Sequence, residues 1–192
     1  MSIKKKNRLD SLLLIGSTGK KAGKTSLACK IIKKFKNINI IAIKITTIKK
    51  GDKNYHSEEL NNSKGPVITE EKSKNISKDT PRLLTAGAKK VFWLRAEEKC
   101  LENGITNLLE KMPKRAVFIC ESNSLRKIVE PALFVMVRGK GKIKPSAKQV
   151  IKYADRIITF NDNEFDNLLK DLRITRCKWS IAKRVEKNFV ID

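Results

Sequence analysis

The chain predicts an α/β fold in three layers, a mostly parallel sheet of about six or seven strands with helices on both faces. Three observations predict it. Short runs that are apolar throughout recur along the chain: "SLLLIG", "INIIAIKIT", "KKVFWLRA", "RAVFICES", "ALFVMVRG" and "DRIITF". A strand with one wet face would alternate polar and apolar residues, so unbroken apolar runs read as strands buried on both faces. Segments with apolar residues at helical spacing lie between these runs. No repeat and no domain linker interrupts the order, so residues 1–192 are expected to form a single domain.

The elements follow in order. Residues 11–16 form the first strand. Residues 25–36, "TSLACKIIKKFK", form a helix with Leu27, Ala28, Ile31, Ile32 and Phe35 on one stripe. The Ile-rich second strand covers residues 38–46. From 49 to 78 the chain turns polar and charged, broken by Gly51, Gly65 and Pro66, which predicts a long excursion with the Lys content of a closing lid. Residues 77–88 start polar, place Pro81 in a first turn and end at Gly87, the punctuation of a short helix. A strand (89–96), a helix weakened by Gly104 (97–112) and a strand (115–122) follow. The polar "NSLRKIVEP" leads to another strand (132–139), a helix (144–154) and the last strand (155–160). Helices around 164–172 and 180–187 are expected in the tail.

A sheet of this kind binds ligands beyond the carboxyl ends of its strands, so the residues that follow each strand carry the functional information. After the first strand comes "GSTGKKAGKTS", which opens a helix. Such a loop presents successive backbone N–H groups, the helix N-terminus adds partial positive charge, and a lysine reaches the outer phosphates. Gly19, Lys20, Lys21, Ala22, Gly23, Lys24, Thr25 and Ser26 are therefore the candidate phosphate-binding residues. Lys24 is the catalytic lysine, and Thr25 offers its hydroxyl to Mg²⁺. The usual pattern has a glycine five residues before the Gly of GK[ST]; here that position is Thr18, with Gly16 and Gly19 on either side, so the loop is lengthened. Gly16 is expected to serve the turn out of the strand.

Glu121 ends the strand "FICE". An acidic group there can hold metal-bound water or polarise an attacking water, which makes it a candidate for both catalysis and metal binding; an N-cap or salt-bridge carboxylate is the alternative. Asn123, Ser124 and Arg126 follow it as possible substrate contacts. Thr46, Thr47 and Asp52 follow the second strand, and Asp52 is a candidate second metal carboxylate or an ordinary loop aspartate. Arg138, Lys140 and Lys142 form a basic turn suited to a base, a phosphate or an anionic second substrate. Asn161, after the last strand, is a candidate contact for a purine base, in a position where Asn-Asp is also common turn chemistry.

The net charge is +23, with aromatics at 6%. Lys dominates over Arg and runs along nearly the whole chain, the pattern of an A/T-rich coding bias. A dedicated nucleic-acid face clusters its charge and interleaves aromatics, so nucleic acid is a partner not favoured here. Cys29, Cys100, Cys120 and Cys177 form no CxxC pair and are expected as reduced, mostly buried thiols. A single histidine, His56, excludes a triad or multi-histidine metal site. The N-terminal apolar run is too short for a secretory segment and none is long enough for a membrane span, so a cytoplasmic protein is expected.

These residues resemble the P-loop NTPases of the group containing signal-recognition GTPases, Min-type ATPases and dethiobiotin synthetase, and within it the molybdopterin-guanine dinucleotide biosynthesis protein B family. The shared features are Gly23-Lys24-Thr25 after the first strand, the stretch with Lys78, Asp79, Arg82 and Ala86-Gly87-Ala88 before the next, and the strand-terminal Glu121. The topological likeness runs from about residue 11 to 159. It implies a P-loop NTPase fold, a Mg²⁺ site, GTP as the nucleotide and a tendency to homodimerise. The loop is longer than the family's. "TTIKKGD" replaces its His- and Asp-rich stretch, and "SNSLR" its glycine-containing turn. GTP and ATP stay open. The functions expected are Mg-dependent nucleotide binding with slow hydrolysis, in an accessory role in molybdenum cofactor biosynthesis; a small-metabolite kinase or ligase of the same fold; and a basic nucleic-acid-binding protein with a vestigial loop.

Overall fold

The computed structural model describes residues 7–48 and 65–182. Seven strands form one sheet. In chain order these are β1 (Asn7–Ser17), β2 (Ile40–Ile48), β3 (Val67–Glu70), β4 (Lys90–Glu97), β5 (Val117–Glu121), β6 (Val129–Arg138) and β7 (Arg156–Thr159). Across the sheet they run β3-β4-β2-β5-β1-β6-β7, with β3 antiparallel at one edge and every other pairing parallel. The helices are α1 (Lys24–Lys34), α2 (Asp79–Thr85), α3 (Leu101–Glu110), α4 (Pro145–Lys148) and α5 (Asp162–Asp171).

The period-2 alternation of the strands divides the apolar side chains into two cores. Leu13, Ile15, Ala42, Ile119 and Val135 pack with Leu27 and Ile31 of α1, Leu83 of α2 and Phe165 of α5. Leu12, Leu14, Ile43, Phe118 and Phe134 pack with Leu101, Ile105 and Leu108 of α3 on the opposite face. Both faces of the central strands are thus removed from water, and this is why their runs are apolar without alternation. The expected three-layer α/β architecture is the one observed.

Several elements differ from expectation. Part of the predicted excursion, residues 67–70, is the edge strand β3, a short stretch whose residues are only half-buried or exposed and so lack a strong apolar signal. The predicted helix at 144–154 is broken into α4 and a 3-10 turn at Ile151–Tyr153. The tail helix expected from about residue 180 does not begin there. Ser180 and Ile181 lie instead in β9 (Lys178–Ile181), which pairs antiparallel with β8 (Leu172–Thr175). The connecting Arg176 and Cys177 both take positive φ, 50° and 63°, without the Gly or Asn that normally marks such a turn. Trp179 anchors this hairpin: it is buried, donates from Nε1 to the Phe118 carbonyl at 3.0 Å and meets Phe35 edge-on at 5.4 Å. All four cysteines are free, and only Cys120 is fully buried. Among the described residues no helix is long and apolar enough to cross a membrane.

Candidate functional site

The carboxyl ends of β1, β5 and β2 bring the candidate residues together. Register sets Glu121 between Ile15 of β1 and Lys44 of β2, so its side chain points to the α1 face. The Thr25 hydroxyl, in the first turn of α1, donates to Glu121 Oε2 at 3.0 Å. Glu121 is 3% exposed, and its Oε1 has no hydrogen-bond partner among the described residues. Burial raises its pKa from the ordinary value; the Lys24 charge and the Thr25 hydrogen bond oppose that shift only in part. An orphaned buried carboxylate oxygen beside a hydroxyl is a donor set suited to Mg²⁺, which takes hard oxygen ligands.

Lys24 folds back so that Nζ donates to Ser17 Oγ at 2.9 Å, and Ser17 Oγ in turn donates to the Gly19 carbonyl at 2.9 Å. Burial lowers the Lys24 pKa, with the Glu121 charge pulling the other way. An ammonium that has lost water and has only a hydroxyl for a hydrogen-bond acceptor is ready for an anion. Gly23 caps α1 with φ 89°, and a Cβ there would fall 2.1 Å from the Phe160 ring. The first turn of α1 holds no acidic residue of its own, and the carboxylate that meets it is Glu121, through the Thr25 hydroxyl.

The loop is held by its neighbours. The Ser17 N–H donates to Asn123 Oδ1 at 2.9 Å, and Asn123 Nδ2 donates to the Ser17 carbonyl at 3.0 Å. Gly16 lies inside β1 and makes no turn. It is glycine because a Cβ would stand 2.8 Å from Asn123 Oδ1 and 2.9 Å from the Phe134 ring. Thr18 donates its N–H to the Val137 carbonyl, accepts the Gly139 N–H on Oγ1 at 2.9 Å, and accepts the Lys144 N–H on its carbonyl at 2.9 Å. Ala22 is buried against Gly139, where a Cβ would meet it at 2.9 Å. Lys20 and Lys21 are exposed, and Lys21 takes a left-handed φ of 51°.

Two residues with no predicted role complete the charge balance. Lys44 Nζ pairs with Asp79 Oδ2 at 2.5 Å, and Arg82 lies 3.8 Å from Asp79 while donating to Ser26 Oγ at 3.2 Å. Burial pushes the Asp79 carboxyl up, but Lys44, Arg82 and Thr25 together hold it low. Lys44 is the one charged residue of β2. Asp52, the expected second carboxylate, lies outside the described residues. Asn161 is used as the N-cap of α5, accepting the Glu164 N–H at 2.8 Å, and the exposed Phe160 beside it stands nearer the loop. Arg138, Lys140 and Lys142 are exposed and do not line the cleft; from that segment Lys144 does. Arg126 stacks on Tyr153, 4.7 Å from the ring centre, and does not line it either.

No family model matches the chain, and no curated protein matches it. Among solved structures it is similar in fold to LpxK from Aquifex aeolicus, crystallised in complex with ATP: TM-score 0.50, 21% identity, covering 81% of this chain and 50% of that one. The chain thus spans half the length of that structure. The strand order, the two helical layers and the strand-loop-helix at Lys24 are those of a P-loop NTPase fold.

Proposed function

We propose that this protein binds a nucleoside triphosphate with Mg²⁺ in the loop from Gly19 to Ser26 and hydrolyses it slowly. The observation that carries this reading is the convergence of a half-buried Lys24 with the unpartnered Oε1 of buried Glu121 at the N-terminus of α1. Backbone N–H groups of the loop hold the phosphates, and Lys24 exchanges Ser17 for an outer phosphate oxygen. Thr25 and Glu121 are the residues that would hold Mg²⁺, with Asp79 close behind them. Bound there, the ion would supply charge neutralisation for the phosphates. Phe160, half-exposed beside Gly23, offers a face for the purine.

Slow turnover follows from the carboxylates. Glu121 is engaged by Thr25, and Glu98, the other carboxylate lining the cleft, is paired with Lys127. With Glu121 given over to Mg²⁺ and Glu98 held by Lys127, neither is free to accept a proton from an attacking water. The similarity of the loop and of the Lys78-to-Ala88 stretch to the molybdopterin-guanine dinucleotide family supports an accessory role in molybdenum cofactor synthesis, with GTP or ATP as the nucleotide.

Titration with fluorescent ATP and GTP, with and without Mg²⁺, tests the site. Wild type should bind at least one nucleotide Mg-dependently, and Lys24→Ala should weaken binding by about tenfold or more, as expected for losing a charge-assisted contact. Equal affinity of the two proteins would overturn the assignment.

A further inference from the structure

Beside Lys24 opens a cleft of 550 Å³. The sheet order puts β6 and β7, with Phe160 after them, on one side of β1, and β5, β2 and β4 on the other. The cleft extends to the second side, as far as Thr46 and Thr47 at the end of β2 and Ser124 after β5. The cleft begins at Lys24 and Glu121, the phosphate and metal residues of the reading above, and a nucleotide with its phosphates in the loop and its purine toward Phe160 leaves the end at Thr46, Thr47 and Ser124 unfilled.

The chemistry of the walls is specific. Lys20, Lys24 and Lys144 face the same cleft. The Lys144 ammonium has no acceptor among the described residues. Burial pushes its pKa down to about 8, and the charges of Lys24 and Lys20 add to that. A half-buried cation beside two others is disfavoured, and an anion bound among them offsets that cost. The opposite wall carries hydroxyls. Thr47 donates to Ser124 Oγ at 2.8 Å, and Trp93 donates to Thr46 Oγ1 at 2.9 Å, so both threonines are held in fixed orientations.

We propose that this cleft binds a second substrate, a small hydroxyl-bearing anion, with its phosphate or carboxylate on Lys144 and Lys20 and its hydroxyls along Thr46, Thr47 and Ser124. This rests on the nucleotide reading above, which places the phosphoryl end of the triphosphate at the mouth of the same cleft.

The test is calorimetric titration of glycerol 3-phosphate, glycerate and inorganic phosphate onto the protein saturated with a non-hydrolysable ATP analogue and Mg²⁺. At least one hydroxylated anion should bind saturably and more tightly than inorganic phosphate; which one binds tells a phosphate ester from a carboxylate. Lys144→Ala should weaken it tenfold or more, with nucleotide affinity changed less than twofold, while Lys170→Ala, an exposed lysine on α5, should leave it unchanged. The proposal is overturned if no anion binds saturably, if Lys144→Ala and Lys170→Ala act equally, or if nucleotide and anion binding are lost together. Should wild type bind no nucleotide, the earlier reading fails by itself. The anions are then titrated onto the free protein: loss in Lys144→Ala but not in Lys24→Ala sustains the cleft, and equal loss in both overturns it.

Discussion

Burial raises the proton affinity of the Glu121 carboxyl, and Lys24, Thr25 and Lys44 return only part of that shift. Between the ordinary value of 4.5 and the raised folded value, the folded state holds more protons than the unfolded chain. Stability therefore falls as pH rises through that window, and above it the full cost of the buried charge is present. Glu121→Gln should be more stable than wild type near neutral pH, by about 1–3 kcal/mol. The gap should close below about pH 4, where both carry an uncharged side chain. Melting curves across pH check this, and a gap that does not narrow in acid would refute it. Gly23 presents the opposite case. Its φ of 89° and the Phe160 ring leave no room for a Cβ, so Gly23→Ala should lose about 1–2 kcal/mol or more from backbone strain alone. Adding Phe160→Ala should recover only the part due to the ring, as read by denaturant midpoints.

At the scale of elements, β1, the loop and α1 were legible in the sequence because one local pattern carries them: an apolar run, glycines, GKT and a helical stripe. Glu121 was legible because a carboxylate that closes an all-apolar strand is costly to bury unless a cation or a hydroxyl meets it there. Asp79 and Lys44 were not, since their pairing is made by the β2–α2 packing and no local period reports it. Asn123, a possible substrate contact by its place after β5, is spent on the Ser17 backbone, a role visible only once β5 lies beside β1. The β8–β9 hairpin escaped because Arg176 and Cys177 adopt left-handed conformations that their side chains do not announce. That hairpin closes one end of the α1-side core through Trp179. Trp179→Ala should cost about 3–5 kcal/mol, the range for emptying a large aromatic site, measured by urea unfolding. A loss below about 1 kcal/mol would mean the hairpin merely rests on the sheet.

For the whole molecule the dominant quantity is charge, +23 over 192 residues. Spread lysine attracts polyanions through counterion release, and that attraction decays steeply with salt. Binding to a mixed-sequence RNA should fall by about a thousandfold or more between roughly 50 and 200 mM salt, whereas nucleotide binding in the enclosed loop should change far less. Filter binding and fluorescence titration over one salt series separate the two; RNA affinity that holds at the higher salt would point to a dedicated nucleic-acid face. Against this diffuse background Thr18 has a different importance. Its three bonds join the start of the loop to the end of β6 and to Lys144. A ligand that tightens the loop pulls on the same peptide that aims Lys144 into the cleft. The start of the phosphate loop and the backbone that carries Lys144 are thus fastened at a single residue.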